Sequence, residues 1–219
     1  GSTQIGGFGS DEGNLVSGHN GHAIDLFSSA NNIIAGNRVG TDVDGNAQVG
    51  NFRGVALRDS PDNLVADNLI SGNLDGVYVV GAGSTDFLLT GNRIGTNASG
   101  TAAIPNTWYG VNIIDATGAM VGGTTETDRN LISGNGTGVR LGGGSDHVVV
   151  GNYIGTDITG TEALGGTGHA VYVSGSRNAQ IGSSADGAGN VLAAYRWGVQ
   201  ALSTSEGTKI QNNRIGTSA

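Results

Sequence analysis

Asn68-Leu69-Ile70-Ser71-Gly72 recurs unchanged as Asn130-Leu131-Ile132-Ser133-Gly134, and with one apolar exchange as Asn14-Leu15-Val16-Ser17-Gly18. A fourth copy has drifted to Asn190-Val191-Leu192-Ala193-Ala194. Between these copies lie four of a second kind, in which the asparagine leads into a Gly-Thr pair: Asn37 before Gly40-Thr41, Asn92 before Gly95-Thr96, Asn152 before Gly155-Thr156, and Asn213 before Gly216-Thr217. A branched aliphatic follows each asparagine at the second position: Val16, Val39, Ile70, Ile94, Ile132, Ile154, Leu192 and Ile215. The asparagines are spaced by 23, 31, 24, 38, 22, 38 and 23 residues. Short and long steps alternate, so the repeating unit is a pair of coils of about 54 to 62 residues, within the range of solenoid repeats.

A second column falls between the asparagines and reads Gly or Ala, apolar, variable, apolar. It runs from Ala23-Ile24-Asp25-Leu26 through Gly54-Val55-Ala56-Leu57, Gly76-Val77-Tyr78-Val79, Gly110-Val111-Asn112-Ile113, Gly138-Val139-Arg140-Leu141 and Ala170-Val171-Tyr172-Val173 to Gly198-Val199-Gln200-Ala201. Both apolar positions are filled in every copy, and the period of two marks a strand that buries one face. A weaker third strand precedes each asparagine, as in Asn32-Ile33-Ile34 and Asn63-Leu64-Val65. The residue just before each asparagine is Gly13, Gly36, Asp67, Gly91, Arg129, Gly151, Gly189 or Asn212. All but Arg129 tolerate a left-handed backbone, which predicts a tight bend there.

Three short strands and three turns fit a coil of 22 to 24 residues. Parallel coils stacked at the strand spacing of ~4.8 Å give seven to eight coils and a rod of roughly 35 Å. The predicted fold is therefore all-β, a single-stranded parallel β-helix with three strands per coil. A leucine-rich horseshoe shares the period and the asparagine, but this chain has no helix-forming return path. Residues 3–219 are expected to form one domain, part of a longer array, with Gly1-Ser2 a cloning remnant.

The asparagine column Asn14, Asn37, Asn68, Asn92, Asn130, Asn152, Asn190 and Asn213 reads as a structural ladder. Each amide offers two donors and an acceptor to turn backbone and to its neighbours in the stack. Alanine at a central rung is expected to cost roughly 1–3 kcal/mol.

Composition narrows function. Glycine numbers 42 of 219 residues and charged residues only 13%, about half the usual share. The net charge of −8 and pI near 4.7 argue against a nucleic-acid partner, whose phosphates require a basic footprint. No stretch approaches the ~20 apolar residues of a membrane span, so membrane insertion is not expected. With no cysteine, disulfide and thiolate chemistry are excluded.

The repeats resemble the right-handed parallel β-helices of the pectate-lyase-like superfamily. They are most similar to the degenerate Gly-Asn-x-Ile-Gly-Thr-Asp and Asn-x-Ile-Ser-Gly-Asn repeats of large secreted bacterial proteins. The resemblance implies a right-handed coil and an extracellular or cell-surface location. It leaves function open, because the superfamily holds lyases, hydrolases, epimerases, tailspikes and adhesins.

Superfamily active sites lie on one strand face, so the outward residues of the best-defined strand are the candidates: Asp25, Ala56, Tyr78, Asn112, Arg140, Tyr172 and Gln200. An ordinary solvated strand face of β-favouring residues is the first reading of this column; the alternative is weak carbohydrate recognition, for which Tyr78 and Tyr172, with Asn112 and Arg140 between them, offer stacking and hydrogen bonding. Just before that strand stand His22, Arg53, Asp75, Tyr109, Thr137, His169 and Trp197, with Phe52, Trp108 and Arg196 one residue earlier. Trp108 and Trp197 either present rings to saccharide or cap the core.

No catalytic residue is assigned, since paired carboxylates at ~5–9.5 Å are needed for hydrolysis and the face offers only Asp25 near one end. No cofactor or metal is expected: Asp42-Val43-Asp44-Gly45-Asn46 opens like a calcium loop, but Arg53 stands at the twelfth position where a Glu belongs. The leading expectation is a non-catalytic structural or adhesive module, with end-to-end or edge self-association open. Its alternatives are a fragment of a carbohydrate-active enzyme and a tailspike-like trimer.

Overall fold

The computed structural model describes residues 2–216, so Gly1 of the opening pair and Thr217 of the last Gly-Thr pair lie outside the described residues. The chain winds through three parallel sheets in fixed order, once per coil. Sheet 1 contains eight strands from Gln4–Gly6 to Lys209–Ile210, and sheet 2 contains eight two-residue strands from Leu15–Val16 to Arg214–Ile215. Sheet 3 contains seven longer strands, from His22–Phe27 to Trp197–Ala201. The expected β-helix of three strands per coil is the observed one.

Register explains why the repeat is so regular. Ile94 pairs with Ile70 on one side and Ile132 on the other, and Val77 pairs with Val55 and Val111. Each apolar position therefore stacks on its own kind, and Val55, Ile70, Val77, Ile94, Val111 and Ile132 are fully buried. Fully burying such a side chain contributes about 1.5–3 kcal/mol. A one-residue slip would turn every one of them to solvent.

The asparagine column forms an unbroken ladder at the bend between sheets 1 and 2. Each Nδ2 donates to the Oδ1 of the next asparagine, from Asn14 to Asn213, at 2.8–3.0 Å. Each backbone N–H donates to the same oxygen at 2.9–3.3 Å. A left-handed backbone precedes the asparagine at Gly36, Asp67, Gly91, Gly151 and Asn212, as expected. It is absent at Gly13, Arg129 and Gly189, where an extra turn is inserted before the bend. Arg129 is thus tolerated because its coil reaches the asparagine by another route. Gly13 and Gly189 are small for a different reason: a Cβ there would lie 1.9 Å from the Gly36 carbonyl oxygen and 2.2 Å from that of Asn212.

A second ladder, not anticipated from the sequence, lines the bend between sheets 2 and 3. Asn51, Asn73, Asn106 and Asn135 are linked side chain to side chain at 2.8, 3.1 and 2.9 Å. The next coil has Gly166 at this bend, and the ring of Tyr195 from the coil beyond fills its place; a Cβ on Gly166 would lie 1.9 Å from that ring.

The coil pair has a physical basis as well. In the long coils the Gly-Thr segment opens a hairpin, closed by bridges Thr41 to Gln48, Thr96 to Ala103 and Thr156 to Ala163. The short-coil serine locks it: Ser17, Ser71 and Ser133 donate to the carbonyl oxygens of Thr41, Thr96 and Thr156 at 2.6–2.7 Å. The hairpins also cover the outward leucines of sheet 2. Gly45 packs on Leu69 and Gly100 on Leu131, which are buried, whereas Leu15 is exposed.

Candidate functional site

The outer face of sheet 3 gathers the candidate side chains. Tyr78, Asn112, Arg140, Tyr172 and Gln200 follow one another in direct register on adjacent coils. Asp25 and Ala56 precede them in the same column. Repetition of the coil makes this alignment automatic, since residues at equivalent positions must stack.

The polar groups of this face are tied to one another. The guanidinium of Arg58 grips Asp25 through two hydrogen bonds, 2.9 and 2.6 Å. Arg53 Nε donates to Asp75 Oδ2 at 3.3 Å, and the same guanidinium lies 3.5 Å from the centroid of the Tyr78 ring. Arg140 Nη1 donates to Asn112 Oδ1 at 3.0 Å, and Asn112 is buried. Asp75 is 1% exposed with Oδ1 unpartnered. Burial pushes its carboxyl above the ordinary value, against the opposing effects of Arg53, Asn112 and Arg140.

The aromatic residues form two groups. Toward the start of the sheet, His22, Phe52 and Trp108 make a rim in which Phe52 meets each neighbour at 6.2 Å, edge-on against Trp108. Toward the end, His169 is stacked between Tyr172 at 4.8 Å and Trp197 at 4.5 Å, and Arg196 lies 4.3 Å from the Trp197 ring. Trp108 and Trp197 are 47% and 41% exposed, so they stand at the rim and do not cap the core. His169 thereby covers one ring face of Tyr172 and one of Trp197. The sequence named these residues but not the contacts of Arg53 with Tyr78 or of His169 with Tyr172, because those depend on how the side chains lean along the strands, which register alone does not set.

The calcium-like loop has a different use for its carboxylate. Asp42 Oδ1 accepts the backbone N–H groups of Asn46 and Ala47, and Asn97 and Asp157 do the same in the equivalent hairpins. A neutral amide serves at one of the three positions, so the geometry is that of a turn and needs no charge. Asn135-Gly136-Thr137 has the form of a glycosylation acceptor, but its asparagine is fully buried in the second ladder. Among the described residues no three His, Cys, Asp or Glu side chains converge as a metal site, and no helix is long and apolar enough to cross a membrane.

Residues 9–154 match the family described as a right handed beta helix region. The chain belongs to that right-handed β-helix family. No curated protein matches it. Among solved structures, the crystal structure of the Dettilon tailspike protein aligns at 14% identity with a TM-score of 0.22. That alignment covers 89% of this β-helix and 57% of the tailspike chain, so this chain spans little more than half of that protein. Membership of the right-handed β-helix family settles the winding of the coil and assigns no chemistry to its face.

Proposed function

We propose that this chain is a non-catalytic structural or adhesive β-helix module of a secreted, cell-surface bacterial protein, with weak carbohydrate recognition on the outer face of sheet 3. The pectate-lyase-like resemblance of its repeats belongs to the same proposal. The observation that carries it is the state of the acidic residues on that face. Asp25 is held by Arg58 and Asp75 by Arg53, and they stand two coils and three strand positions apart. Hydrolysis of a glycosidic bond requires two free carboxylates about 5–9.5 Å apart. What the face offers a sugar is a shallow row of hydroxyl, amide and guanidinium groups between two aromatic rims, suited to contact without turnover.

A glycan-array screen of the wild type beside the Tyr78→Ala/Tyr172→Ala variant tests the proposal. Binding that the variant loses supports recognition by this face, and a blank array leaves the scaffold role alone. The competing reading, a fragment of a polysaccharide-processing enzyme, draws on the raised Asp75 carboxyl. It requires cleavage of a polysaccharide that Asp75→Asn abolishes.

A further inference from the structure

A different face carries a second surface. The outward residues of sheet 2 run in register as Leu15, Arg38, Leu69, Arg93, Leu131, Tyr153, Val191 and Arg214. The short coils contribute the aliphatics, and the long coils contribute arginine in three of four cases. The fourth long coil has Tyr153, and there Arg129 from the preceding coil lays its guanidinium over the ring, 4.3 Å from the centroid. Arg129 is the residue that departs from the pre-asparagine pattern, and Tyr153 is the one that departs from the arginine pattern. The two departures meet and restore a cation at the level that lacks its own arginine.

Guanidinium groups therefore recur at every second coil, a spacing of about 10 Å along the rod. Each faces a cleft beside the asparagine bend. Arg38 lines a cleft of about 220 Å³ with Asn14 and Gly36, Arg93 one of about 210 Å³ with Asn92 and Arg129, and Arg129 and Arg214 one of about 330 Å³ with Tyr153 and Asn190. The clefts are the same groove repeated. Among the described residues, none of these four arginines has a carboxylate within salt-bridge distance. Asp67 and Glu126 also line the middle cleft and offset Arg93 and Arg129 there, whereas the clefts of Arg38 and Arg214 have no carboxylate in their lining.

We propose that this arginine groove binds a linear acidic polysaccharide of alternating neutral and acidic sugars, laid along the rod with one carboxylate at each long coil. Guanidinium suits carboxylate through paired hydrogen bonds, and the polar bend beside it suits sugar hydroxyls. The period of the coil pair sets the charge spacing that the groove selects. The site is separate from the sheet 3 face and does not depend on it.

The test is binding of hyaluronan fragments, which carry one carboxylate per disaccharide, by calorimetry at low salt, with neutral dextran as the comparison polymer. The wild type should bind hyaluronan, lose affinity as salt is raised, and ignore dextran. Arg129→Gln/Arg214→Gln, checked for folding by circular dichroism, should weaken binding by about tenfold per arginine. Tyr78→Ala/Tyr172→Ala should bind hyaluronan as the wild type does. The proposal is overturned if hyaluronan does not bind, if dextran binds equally, if the arginine variant keeps wild-type affinity, or if the tyrosine variant loses it. If Arg129→Gln/Arg214→Gln fails to fold, Arg38→Gln/Arg214→Gln, at two exposed positions, takes its place and should show the same loss of affinity.

Discussion

Replacing Asn130 with alanine probes the ladder where it is most deeply buried. Asn130 is 0% exposed, and its Oδ1 accepts both the backbone N–H and the Nδ2 of Asn92 at 3.0 Å. Its own Nδ2 donates to Leu89 O at 2.8 Å and to Asn152 Oδ1 at 3.0 Å. After the substitution, Asn92 Nδ2 still has the Val65 and Thr90 carbonyls, and Asn152 Oδ1 still has the backbone N–H of residue 130. The Asn92 N–H has nothing. One orphaned buried donor costs about 1–3 kcal/mol and the other lost bonds about 1 more, so the expected loss is about 2–4 kcal/mol. That exceeds the expectation from sequence, because one rung satisfies backbone and side chain of its neighbour at once. Asn14→Ala is the internal comparison: Asn14 is exposed and donates only to Asn37, so its loss should be under about 1 kcal/mol. Urea unfolding followed by circular dichroism reads both, with attention to whether one transition or several are seen, since repeat arrays unfold in parts. Equal midpoints for Asn130→Ala and the wild type, or equal losses for the two variants, would refute the reasoning.

Three further outcomes follow from the same structure. Burial lowers His147 to about 4 from an ordinary 6.5, so it folds neutral. The unfolded chain takes up its proton first, and stability should fall by about 3 kcal/mol in total as pH drops from about 6.5 to about 4; His147→Leu should flatten that slope in urea midpoints. Asp75, whose carboxyl is raised by burial, should show the opposite sign: its ionised form costs stability, so Asp75→Asn should gain on the wild type at pH 7 and lose that advantage as pH falls through the folded value. Ser71→Ala removes the bond to Thr96 O at 2.7 Å and an acceptor for the Gly95 N–H at 3.0 Å, and should lower the thermal midpoint by an amount equivalent to about 1–2 kcal/mol.

Most of the fold was legible because a solenoid writes each structural requirement many times. The Asn14-to-Asn213 column, the branched aliphatic two residues on, and the Gly-Val strand all survive as text because each stacks on itself. The second ladder was harder to see. Asn51, Asn73 and Asn135 stand three residues before their strand glycines, but Asn106 stands four before Gly110, and the column then ends at Gly166 and Tyr195. A column of four with one offset does not stand out beside a column of eight. The candidate face was legible as a set of residues and not as a set of contacts. Whether Tyr172 offers a face or an edge depends on where His169 and Trp197 place their rings, and no period encodes that.

Departures from the repeat therefore carry more information about this molecule than the repeat does. The corner column Asn32, Asn63, Phe87, Ala119, His147, Ala179 shows the mechanism on the inside. Asn32 and Asn63 bond at 2.8 Å, after which the ladder gives way to large and small residues in alternation, and the fully buried His147 fills a slot between two alanines. One large side chain is accepted because its neighbours above and below are small, and His147 Nδ1 also accepts the Ala119 N–H at 3.3 Å, so both packing and backbone pairing of the coil are served. The same logic fills the Gly166 gap with Tyr195. It does not explain Arg129 and Tyr153. Both are half-buried: Arg129 Nε donates to the Gly151 carbonyl at 3.2 Å, which serves the bend of the next coil, while the rest of its guanidinium lies over the Tyr153 ring on the outer side. The bond to Gly151 accounts for one donor of Arg129, yet the pair also keeps a cation at every second coil, and that periodicity is the reason to look for a ligand along the arginine groove as well as on the sheet 3 face.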